Sequence, residues 1–457
     1  MEYYLAVDIG ASSGRHILGR IDNGRLVIEE IHRFSVSPVK RDGHLCWDIK
    51  SIFCEIIRGL RRAKEIGKVP VCIGIDTWAV DYALLAEDGN RIGEVYCYRD
   101  DRTTKPSAEC DKYMPFTKLY KKTGVQFQPF NTLFQLAADK EAGRLEKAKS
   151  LLMLPDYIGY LLTGEKRQEY TNAVSTGMIN AITHDWDKDI INAFGLDAKL
   201  FGSLSQPGTT VGNLSRNIID IVGYDATVLL PATHDTASAV LAKPTGNKAV
   251  YISSGTWSLL GVEQKIATTS DASMEYNYSN EGSIGYEFRF QKNIMGLWMI
   301  QQIRKEFGDS HTFEELAELA RVNVNDYRVD VNDRAFFAPE SMVAAVCGKV
   351  GKNLTLGELA YCVFAGLADS YAESIKQLES ITGTKYNTVN IFGGGCNNDF
   401  LSELTAERTK KRVVTGPAES TAIGNLLMQM IGRRRIADIY AARRIVKKSF
   451  KITEIGL

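Results

Sequence analysis

The sequence lacks the features that mark membrane, secreted and zinc-binding proteins. No stretch approaches the ~20 consecutive apolar residues of a membrane span, and the opening MEYYLAVDIG contains acids and is too short for a signal peptide. The eight cysteines are scattered, with no CxxC pair and no paired Cys/His spacing, which argues against zinc and a disulfide framework. We therefore expect a cytoplasmic protein with buried thiols, in which a reducing compartment disfavours pairing of Cys347 with Cys362.

The chain also lacks net charge, because 55 lysines and arginines balance 55 aspartates and glutamates. This balance provides no global field to attract nucleic acid or an anionic membrane, so we expect neither as a partner. Proline is scarce, with 11 residues against 39 glycines, which favours tight turns over rigid linkers. The 457 residues exceed one ordinary core and predict two or three domains, at about 150 residues per domain.

The first predicted strand, Tyr3–Ile9, is followed by neither a Walker loop nor a dinucleotide-binding fingerprint. Residues 15–21 and 26–28 look like further strands separated by an Asp-Asn-Gly turn, so the Gly/Ser-rich loop is predicted to be a hairpin tip. Backbone amides and hydroxyls in such a tip can form a nest for phosphate, with charge from Arg15. The tip residues are Ala11, Ser12, Ser13 and Gly14.

Asp235 follows an apolar strand at residues 228–230 and precedes the first turn of a predicted helix. A carboxylate at this position lies at the rim of a sheet, where open α/β folds bind their ligands, and it can accept a proton there. Alternatively, Asp235 merely caps the helix, since aspartate is a favoured N-cap residue. The stretch alone leaves both interpretations open.

A polar turn cluster at residues 243–248 predicts a domain boundary that divides residues 1–244 from 245–457. Directly after it, SSGTWSLLG from Ser253 resembles SSGRHILG from Ser12, and both follow an apolar strand. As an internal duplication, the pair predicts two similar sheet domains, each offering a Ser-Ser-Gly hairpin to a cleft between them.

Gly393, Gly394 and Gly395 stand between a predicted strand, residues 388–392, and a helix beginning at Asp399. Consecutive glycines allow a flat ligand to approach the backbone, although tight packing of helix on strand explains them equally well. Near the end of the chain, the arginines at 433–435, 443 and 444 are predicted to form a solvated helix face.

Two hairpin tips suited to phosphate, a glycine platform and a rim carboxylate together fit phosphoryl transfer. That reaction needs donors on the phosphate oxygens, a metal ion to neutralise charge and a base for the acceptor hydroxyl. We predict that Asp235 is the base. We predict that Asp8 is the carboxylate on the metal side, acting through water because Mg²⁺ keeps much of its hydration shell.

Several segments together resemble the FGGY carbohydrate kinases, and they are spread over essentially the whole chain. They are AVDIGASSGR, GIDTWAVDY, YRDDRT, QPFNTLFQL, EYTNAVSTGM, PATHDTASAV, YISSGTWSLLG, KNIMGLW and FGGGCNN. The resemblance implies an α/β fold of two actin-like (ribonuclease-H-like) domains with a nucleotide and sugar cleft between them. It makes residues 1–244 the sugar-binding domain and 245–457 the ATP-binding domain, and it implies transfer of the γ-phosphate of ATP to the 1-hydroxyl of L-rhamnulose.

The resemblance also implies roles for individual residues. Asp235 corresponds to the proton acceptor, and residues 11–15 correspond to the phosphate-binding turn. The implied ATP contacts are Thr256, Gln301, Gly393, Gly394 and Gly395. The implied sugar contacts are Ala79, His234, Asp235, Thr236 and Asn293. Position 79 departs from the usual DTWGVD motif, because this chain has DTWAVD, and a methyl group there can narrow the sugar pocket.

Two other functions remain open from the sequence. One is an FGGY kinase for another ketose, such as L-fuculose, which the departure at Ala79 allows. The other is a non-catalytic actin-like protein, either a sugar sensor or a filament subunit. No basic helix-turn-helix stands at either end, which weighs against the sensor. We expect ATP, Mg²⁺ and a small ketose as ligands of a monomer or homodimer.

Overall fold

A computed structural model describes residues 1–246 and 248–456, so Asn247, in the predicted boundary cluster, and Leu457 lie outside the described residues. The strands are β1 (Tyr3–Ile9), β2 (Ser13–Asp22), β3 (Arg25–Ser35), β4 (Pro38–Arg41), β5 (His44–Trp47), β6 (Pro70–Thr77), β7 (Tyr82–Leu85), β8 (Val95–Tyr96), β9 (Ser150–Met153), β10 (Gln168–Glu169), β11 (Leu204–Ser205), β12 (Thr210–Asn213), β13 (Thr227–Leu229), β14 (Val250–Ser254), β15 (Trp257–Gln264), β16 (Ser279–Gly282), β17 (Phe288–Met295), β18 (Thr388–Phe392), β19 (Arg412–Thr415) and β20 (Thr453–Ile455).

The α-helices are α1 (Ile49–Glu65), α2 (Thr104–Ala108), α3 (Cys110–Tyr113), α4 (Phe116–Thr123), α5 (Thr132–Glu141), α6 (Leu154–Thr163), α7 (Tyr170–Val174), α8 (Lys188–Ala193), α9 (Arg216–Val222), α10 (Asp235–Leu241), α11 (Asp271–Glu275), α12 (Trp298–Glu306), α13 (Phe313–Val322), α14 (Met342–Val350), α15 (Leu356–Thr382), α16 (Asp399–Thr409), α17 (Ser420–Gly432) and α18 (Ile439–Ser449). Short 3₁₀ helices occupy Asp101–Thr103, Arg144–Lys147, Ala198–Leu200, Ile284–Tyr286, Arg334–Phe336 and Gly394–Asn397.

The chain forms two compact units, each assembled from separate stretches. Unit 1 comprises Met1–Ala242, Gln264–Phe290 and Thr421–Ser449. Unit 2 comprises Lys243–Glu263, Gln291–Ser420 and the residues from Phe450 onward. The predicted α/β architecture with two domains is confirmed, while the division between residues 244 and 245 stays a prediction.

Unit 1 is built on a six-stranded sheet in the order β12-β13-β6-β1-β2-β3. Strands β1 and β2 pair antiparallel up to Ile9 and Gly14, so the predicted hairpin is confirmed. Strands β6 and β13 continue the sheet parallel to β1. The run of buried apolar residues in β1 suits a parallel strand covered on both faces. Because β13, β6 and β1 point the same way, their carboxyl ends share one edge of the sheet.

The helices of unit 1 cover this sheet with apolar side chains. Helix α1 begins at Asp48, whose carboxylate accepts a hydrogen bond from the Ser51 amide and caps the helix. Its residues Ile52, Ile56 and Leu60 are buried in the core that also contains the apolar residues of β1 and β6. The spacing of these residues on one helix face is the pattern that predicted the helix.

The second sheet repeats the arrangement of the first. Its order is β16-β17-β15-β14-β18-β19-β20, and β14, β18 and β19 lie wholly in unit 2. Strands β14 and β15 form an antiparallel hairpin, as β1 and β2 do, and β18 and β19 continue parallel to β14. The duplication predicted from the two Ser-Ser-Gly segments is therefore confirmed in the topology.

Local sequence signals in unit 2 also predicted its helices. The capping boxes Thr312/Glu315 and Thr355/Glu358 are both formed, and they begin α13 and α15. Across the described ranges, no helix combines the length and apolar content needed to cross a membrane. The eight cysteines are free, and Cys54 is the exposed one among them.

The prediction of a solvated arginine face is wrong for Arg443. This residue is buried, and its Nε and Nη2 atoms donate hydrogen bonds of 3.2 Å to the carbonyls of Leu241 and Val240. These carbonyls lie in the last turn of α10, where the final C=O groups of a helix have no N–H partner within it. The guanidinium of Arg443 therefore supplies the missing donors. Its neighbour Arg444 is exposed, as predicted.

Helix α17 approaches α10 so closely that Gly424 has no room for a side chain. A Cβ atom on Gly424 would lie 1.8 Å from the carbonyl oxygen of Ser238 in α10. Real atoms never approach this closely, so a larger residue must push the two helices apart. The position of α10, which begins at Asp235, thus depends on a glycine almost 200 residues further along the chain.

We predict that Gly424→Ala lowers the free energy of unfolding by about 1–3 kcal/mol, because overpacking forces backbone shifts. The matched control is Gly348→Ala in α14, where an added Cβ meets no atom within 4 Å. This control should raise stability by about 0.5–1 kcal/mol, since alanine favours the helix over glycine. Chemical denaturation measures both changes, and equal effects of the two substitutions would contradict the packing described for α10.

Candidate active site

The site is assembled at the shared carboxyl ends of three parallel strands of unit 1. Asp8 lies near the end of β1 and pairs in register with Asp76 of β6. The Thr77 amide donates a 2.9 Å hydrogen bond to the Thr233 carbonyl, which extends the pairing of β6 beyond β13. A bridge between Thr77 and His234 follows, so the segment leading to Asp235 is fixed on the sheet.

A buried glutamate, Glu169, anchors this segment from the other side. Its Oε2 atom accepts hydrogen bonds from the amide and hydroxyl of Thr233, at 3.1 and 2.7 Å. The same carboxylate accepts bonds from Thr171 and from the Asn172 amide and thereby caps α7. One side chain therefore ties the start of α7 to the backbone just before His234 and Asp235.

Asp235 stands in the first turn of α10, and His234 occupies the N-cap position. The interpretation of Asp235 as the N-cap residue is therefore wrong. Its Oδ1 atom accepts two hydrogen bonds from Thr236, one from the amide at 2.5 Å and one from the hydroxyl at 3.0 Å. Within residues 1–246 and 248–456, Oδ2 accepts no hydrogen bond. The side chain keeps 31% of its surface exposed, so one carboxylate oxygen is held and the other is available.

His234 is buried between Asp235 and an arginine. The Nη2 atom of Arg289 donates a 3.0 Å hydrogen bond to His234 Nδ1, and His234 Nε2 lies 3.6 Å from Asp235 Oδ1. Burial and, to a lesser extent, the positive charge of Arg289 hold the pKa of His234 well below its usual value. The imidazole is therefore neutral at physiological pH.

The charge of Asp8 contributes to raising the pKa values of the two other aspartates at this edge. Burial, and next the charge of Asp8, raises the pKa of Asp235 to about 6, against the opposing hydrogen bonds from Thr236. Burial and Asp8 likewise raise the pKa of Asp76 well above its ordinary value. Asp235 is therefore a stronger base than an exposed aspartate, yet it remains mostly ionised at neutral pH.

The Asp8 carboxylate is only partly available to bind a metal ion, because Arg15 already contacts one of its oxygens. Both Nε and Nη2 of Arg15 lie 3.0 Å from Asp8 Oδ2, so the charge of Arg15 is directed at this carboxylate. One group of metal-binding residue types converges within 4.8 Å in the described part of the chain, and it comprises His44, Asp100 and Asp101. Asp8 does not belong to that group, so any metal near it is held by fewer protein ligands.

The first hairpin tip keeps a fixed backbone and open hydroxyls. The Gly10 amide donates to the Ser13 carbonyl at 2.9 Å, and the Val36 amide donates to the Ser12 carbonyl at 3.0 Å. Ser12 is exposed, while Ala11 and Ser13 are partly exposed. In the described residues, neither serine hydroxyl makes an intramolecular hydrogen bond. Gly14 is required by packing, because a Cβ there would clash with the Phe34 ring at 2.1 Å.

The second tip and the triple glycine meet in unit 2. A Cβ on Gly393 would lie 2.9 Å from the Ser254 carbonyl oxygen, and one on Gly395 would lie 2.0 Å from its Oγ. Gly394, between them, is exposed and faces open space. Packing therefore explains two of the three glycines, and only Gly394 offers an open backbone surface.

The other predicted ligand contacts of unit 2 lie close to this tip. The carbonyl of Thr256 accepts the Trp298 amide at 3.2 Å, which joins the tip to the start of α12. Gln301 stands on the first turn of the same helix and is partly exposed. Asn293 lies on β17, and its buried Oδ1 lacks a hydrogen-bond partner in the described residues.

The departure at position 79 lies in a strained turn of unit 1. The Asp81 amide donates a 3.0 Å hydrogen bond to the Ala79 carbonyl, across Val80 with φ of 70°. This is a γ-turn with a β-branched residue at positive φ, a conformation that costs about 1–3 kcal/mol. Hydrogen bonds from Thr132 and Gln135 to the Val80 carbonyl hold it. Ala79 is the first residue of this turn and is partly exposed.

Asp81 fixes the end of the same turn. This fully buried carboxylate accepts hydrogen bonds from the indoles of Trp47 and Trp78 at 2.6 and 2.9 Å, from the Tyr98 amide and from the Gln135 amide group. Burial raises its pKa to about 6, against these four donors. Asp81 therefore has a structural role in organising the turn that carries Ala79.

Sequence reasoning missed Arg289 and Glu169 as parts of this site. Arg289 stands between two phenylalanines in the buried first half of β17, and a charge on a buried strand is a signal for a specific partner. Glu169 occupies the N-cap position of α7, where aspartate, asparagine, serine or threonine is the usual residue, so no common capping pattern indicates it. Neither local sequence identifies the partner, which lies 55 residues away for Arg289 and 64 for Glu169.

Comparison with known proteins agrees with this fold. Residues 3–242 match the N-terminal domain of the FGGY family of carbohydrate kinases, and residues 250–433 match its C-terminal domain. A solved structure of ligand-bound xylulose kinase from Lactobacillus acidophilus superposes with a TM-score of 0.82 at 15% identity, over 99% of this chain and 93% of that one. The chain belongs to the FGGY family of carbohydrate kinases.

Within that family, two relatives that match over nearly their full length are rhamnulokinases. The rhamnulokinase of Halalkalibacterium halodurans is 44% identical over 459 residues, which cover 99% of this chain and 98% of the relative. The rhamnulokinase of Oceanobacillus iheyensis is 44% identical over 455 residues, which cover 98% of this chain and 97% of the relative.

We predict that Asp81→Asn lowers the free energy of unfolding by about 1–3 kcal/mol, because the new amide group is surrounded by donors and its own N–H groups are left without an acceptor. The matched control is Asp42→Asn, at an exposed turn residue with φ of 49°, which asparagine also tolerates. The control should change stability by less than about 0.5 kcal/mol. Urea denaturation measures the free energy of unfolding of both variants. If Asp81→Asn left this free energy unchanged, the structural role of the carboxylate would be refuted.

Proposed function

We propose that this carbohydrate kinase transfers the γ-phosphoryl group of ATP to the 1-hydroxyl of L-rhamnulose and releases L-rhamnulose 1-phosphate and ADP. The observation that carries the proposal is Asp235, whose Oδ1 is held by Thr236 while Oδ2 stays available at a pKa of about 6. The names of the relatives support the choice of sugar. They also favour a kinase over a non-catalytic sensor.

In the proposed reaction, Asp235 Oδ2 accepts the proton of the sugar 1-hydroxyl. The 1-oxygen of the sugar then forms a bond to the γ-phosphorus, while the bond between that phosphorus and the bridging oxygen of ADP breaks. General-base assistance of this kind contributes about 10²- to 10⁴-fold to the rate. The raised pKa suits the task, because a base is most effective when its pKa lies near the working pH.

The sugar contacts of unit 1 are proposed to be His234, Ala79 and Asp235 itself, with Asn293 of unit 2 as a further contact. Thr236, which the resemblance assigned to the sugar, directs its amide and hydroxyl to Asp235, so we propose that it acts mainly by orienting the base. The buried Oδ1 of Asn293 has no hydrogen-bond partner among the described residues, so a sugar hydroxyl that reached it would find an acceptor.

The nucleotide contacts are proposed on each unit separately. In unit 1, Ala11, Ser12, Ser13 and Gly14 offer backbone amides and free hydroxyls to phosphate oxygens, beside Arg15. In unit 2, Thr256, Gln301 and the open backbone at Gly394 are the proposed contacts. Gly393 and Gly395 support this surface by allowing the loop to pack on Ser254.

Mg²⁺ is the proposed metal ion, and Asp8 is the residue that would hold it through water. The fit rests on the excess of acidic groups at this edge and on the buried Oδ1 of Asp76, which lacks a hydrogen-bond partner in the described residues. A bound divalent cation would neutralise charge on the phosphate oxygens during transfer. We further propose a cytoplasmic location and a monomer or homodimer.

A second candidate substrate is another ketose, such as L-fuculose. The names of the relatives do not favour this alternative, which rests on Ala79, where the family motif usually has glycine. The γ-turn at Val80 fixes the Ala79 backbone, so the added methyl group cannot move away from a bound sugar without disturbing Asp81. A narrower pocket can change which ketose is preferred while leaving the phosphoryl transfer unchanged.

We predict that Asp235→Asn lowers kcat for L-rhamnulose about 10²- to 10⁴-fold, because asparagine cannot accept the proton. The KM values for sugar and ATP should change much less. Asp220→Asn, an exposed residue of the same unit with a 57% exposed side chain, is the matched control and should keep its activity. A coupled assay for ADP measures both variants, and an Asp235→Asn enzyme within about threefold of wild type would exclude Asp235 as the base.

The raised pKa of Asp235 predicts the pH dependence of the reaction. The ionised form is the active base, so kcat/KM should be flat near neutral pH and fall about tenfold per pH unit below the pKa. The midpoint is expected at about 6, above the value of an ordinary aspartate. A profile of kcat/KM from pH 5 to 8, with folding checked by circular dichroism, measures it. A midpoint near 4 would contradict the environment described for Asp235.

A further inference from the structure

We infer that Arg289 is a positioning residue that fixes His234 in the tautomer with its proton on Nε2, and thereby selects Oδ2 of Asp235 as the base oxygen. Neither the resemblance nor the comparisons give Arg289 a role. The part of the inference that concerns the base rests on the proposed function, whereas the part that concerns the tautomer does not.

The first step is the placement of Arg289. It lies on β17 and is fully buried, and its Nε donates a 3.0 Å hydrogen bond to the Gly282 carbonyl. This bond helps hold the guanidinium plane, and Nη2 then reaches His234 Nδ1 at 3.0 Å. Arginine remains protonated in proteins and has donors but no acceptor. The contact therefore requires a lone pair on Nδ1.

The second step follows from the chemistry of imidazole. A neutral histidine carries one ring proton, so a lone pair on Nδ1 leaves the proton on Nε2. The doubly protonated form would place two N–H groups against each other at Nδ1, and burial disfavours it further. His234 therefore presents a donor on the side of Asp235.

The third step concerns the two oxygens of Asp235. Oδ1 accepts two hydrogen bonds from Thr236, and the Nε2–H group lies 3.6 Å away. This distance exceeds that of a hydrogen bond, so the N–H attracts Oδ1 and can still donate to a sugar hydroxyl. Donors around Oδ1 stabilise its negative charge and make it the weaker base. The proton of the acceptor hydroxyl is thus left to Oδ2.

The opposite tautomer would reverse this arrangement. With the proton on Nδ1, the Nε2 lone pair would face Oδ1, and the repulsion would turn the carboxylate away from its position. Removal of the Arg289 guanidinium should therefore reduce catalysis through His234, without any contact between Arg289 and the reacting atoms.

The direct test is the histidine tautomer in the protein without sugar or nucleotide. A long-range ¹H–¹⁵N correlation spectrum of histidine-labelled protein distinguishes the forms, and His234→Gln assigns the His234 signals among the six histidines. We expect a neutral ring with the proton on Nε2. A ring protonated on Nδ1, or on both nitrogens, at neutral pH would overturn the inference.

The variant test compares two buried arginines of unit 1. Arg289 contacts His234 at the start of α10, and Arg443 contacts the carbonyls at the end of the same helix. Arg289→Met should give a mixture of tautomers and lower kcat roughly 10- to 100-fold, with a smaller change in sugar KM. Arg443→Met removes donors from the far end of α10 and should destabilise the fold while leaving the His234 tautomer unchanged. An unchanged tautomer in Arg289→Met would overturn the inference.

Two further results keep the test decisive. If Arg289→Met fails to fold, the wild-type spectrum still decides the tautomer, and Arg289→Lys, which keeps a charged donor, should retain the Nε2–H form. If wild-type protein has this tautomer but fails to phosphorylate L-rhamnulose, the proposed function fails while the tautomer assignment stands. If the enzyme is active and the tautomer is the other one, the role of Arg289 fails alone.

Discussion

The site depends on keeping the Asp235 carboxylate ionised although burial removes part of its hydration. The segment between β13 and Asp235 is fixed at Thr233 by the Thr77 amide and by Glu169, and burial raises the pKa of Asp235 to about 6. Two bonds from Thr236 to one oxygen oppose this rise. The balance between lost hydration and local donors makes a base that is ionised at neutral pH, with one oxygen available to a substrate.

The fold provides this environment by repetition of one motif. In each sheet an antiparallel hairpin is continued by two parallel strands. The Ser-Ser-Gly segment lies at the hairpin turn: it follows β1 in unit 1, and its two serines end β14 in unit 2. The repeat has diverged in what stands at the strand ends. Unit 1 has Asp8, Asp76 and Asp235 there, whereas unit 2 has the glycines that follow β18. Similar scaffolds thus carry acidic groups in one unit and an open backbone in the other.

The sequence predicted those features that depend on neighbouring residues. The hairpin after Ile9, the helix that begins at Asp48, the two capping boxes and the placement of Asp235 after a strand all follow from local patterns, and all are present. Features that depend on distant partners were missed or wrong. The local pattern predicts a surface position for Arg443, because the carbonyls that accept its hydrogen bonds lie about 200 residues away, and the sequence around Arg289 does not indicate His234 as its partner. A single sequence shows that a residue is charged, but only the fold shows what surrounds it.

The most direct measurement for the central claim is a comparison of phosphorylation rates for L-rhamnulose, L-fuculose, L-xylulose and glycerol with ATP, under identical conditions. The account predicts the highest kcat/KM for L-rhamnulose, with phosphate on its 1-oxygen as identified by phosphorus–carbon coupling in the product. Faster turnover of any of the other three, or a phosphate on another oxygen, would contradict the proposed arrangement of sugar and base.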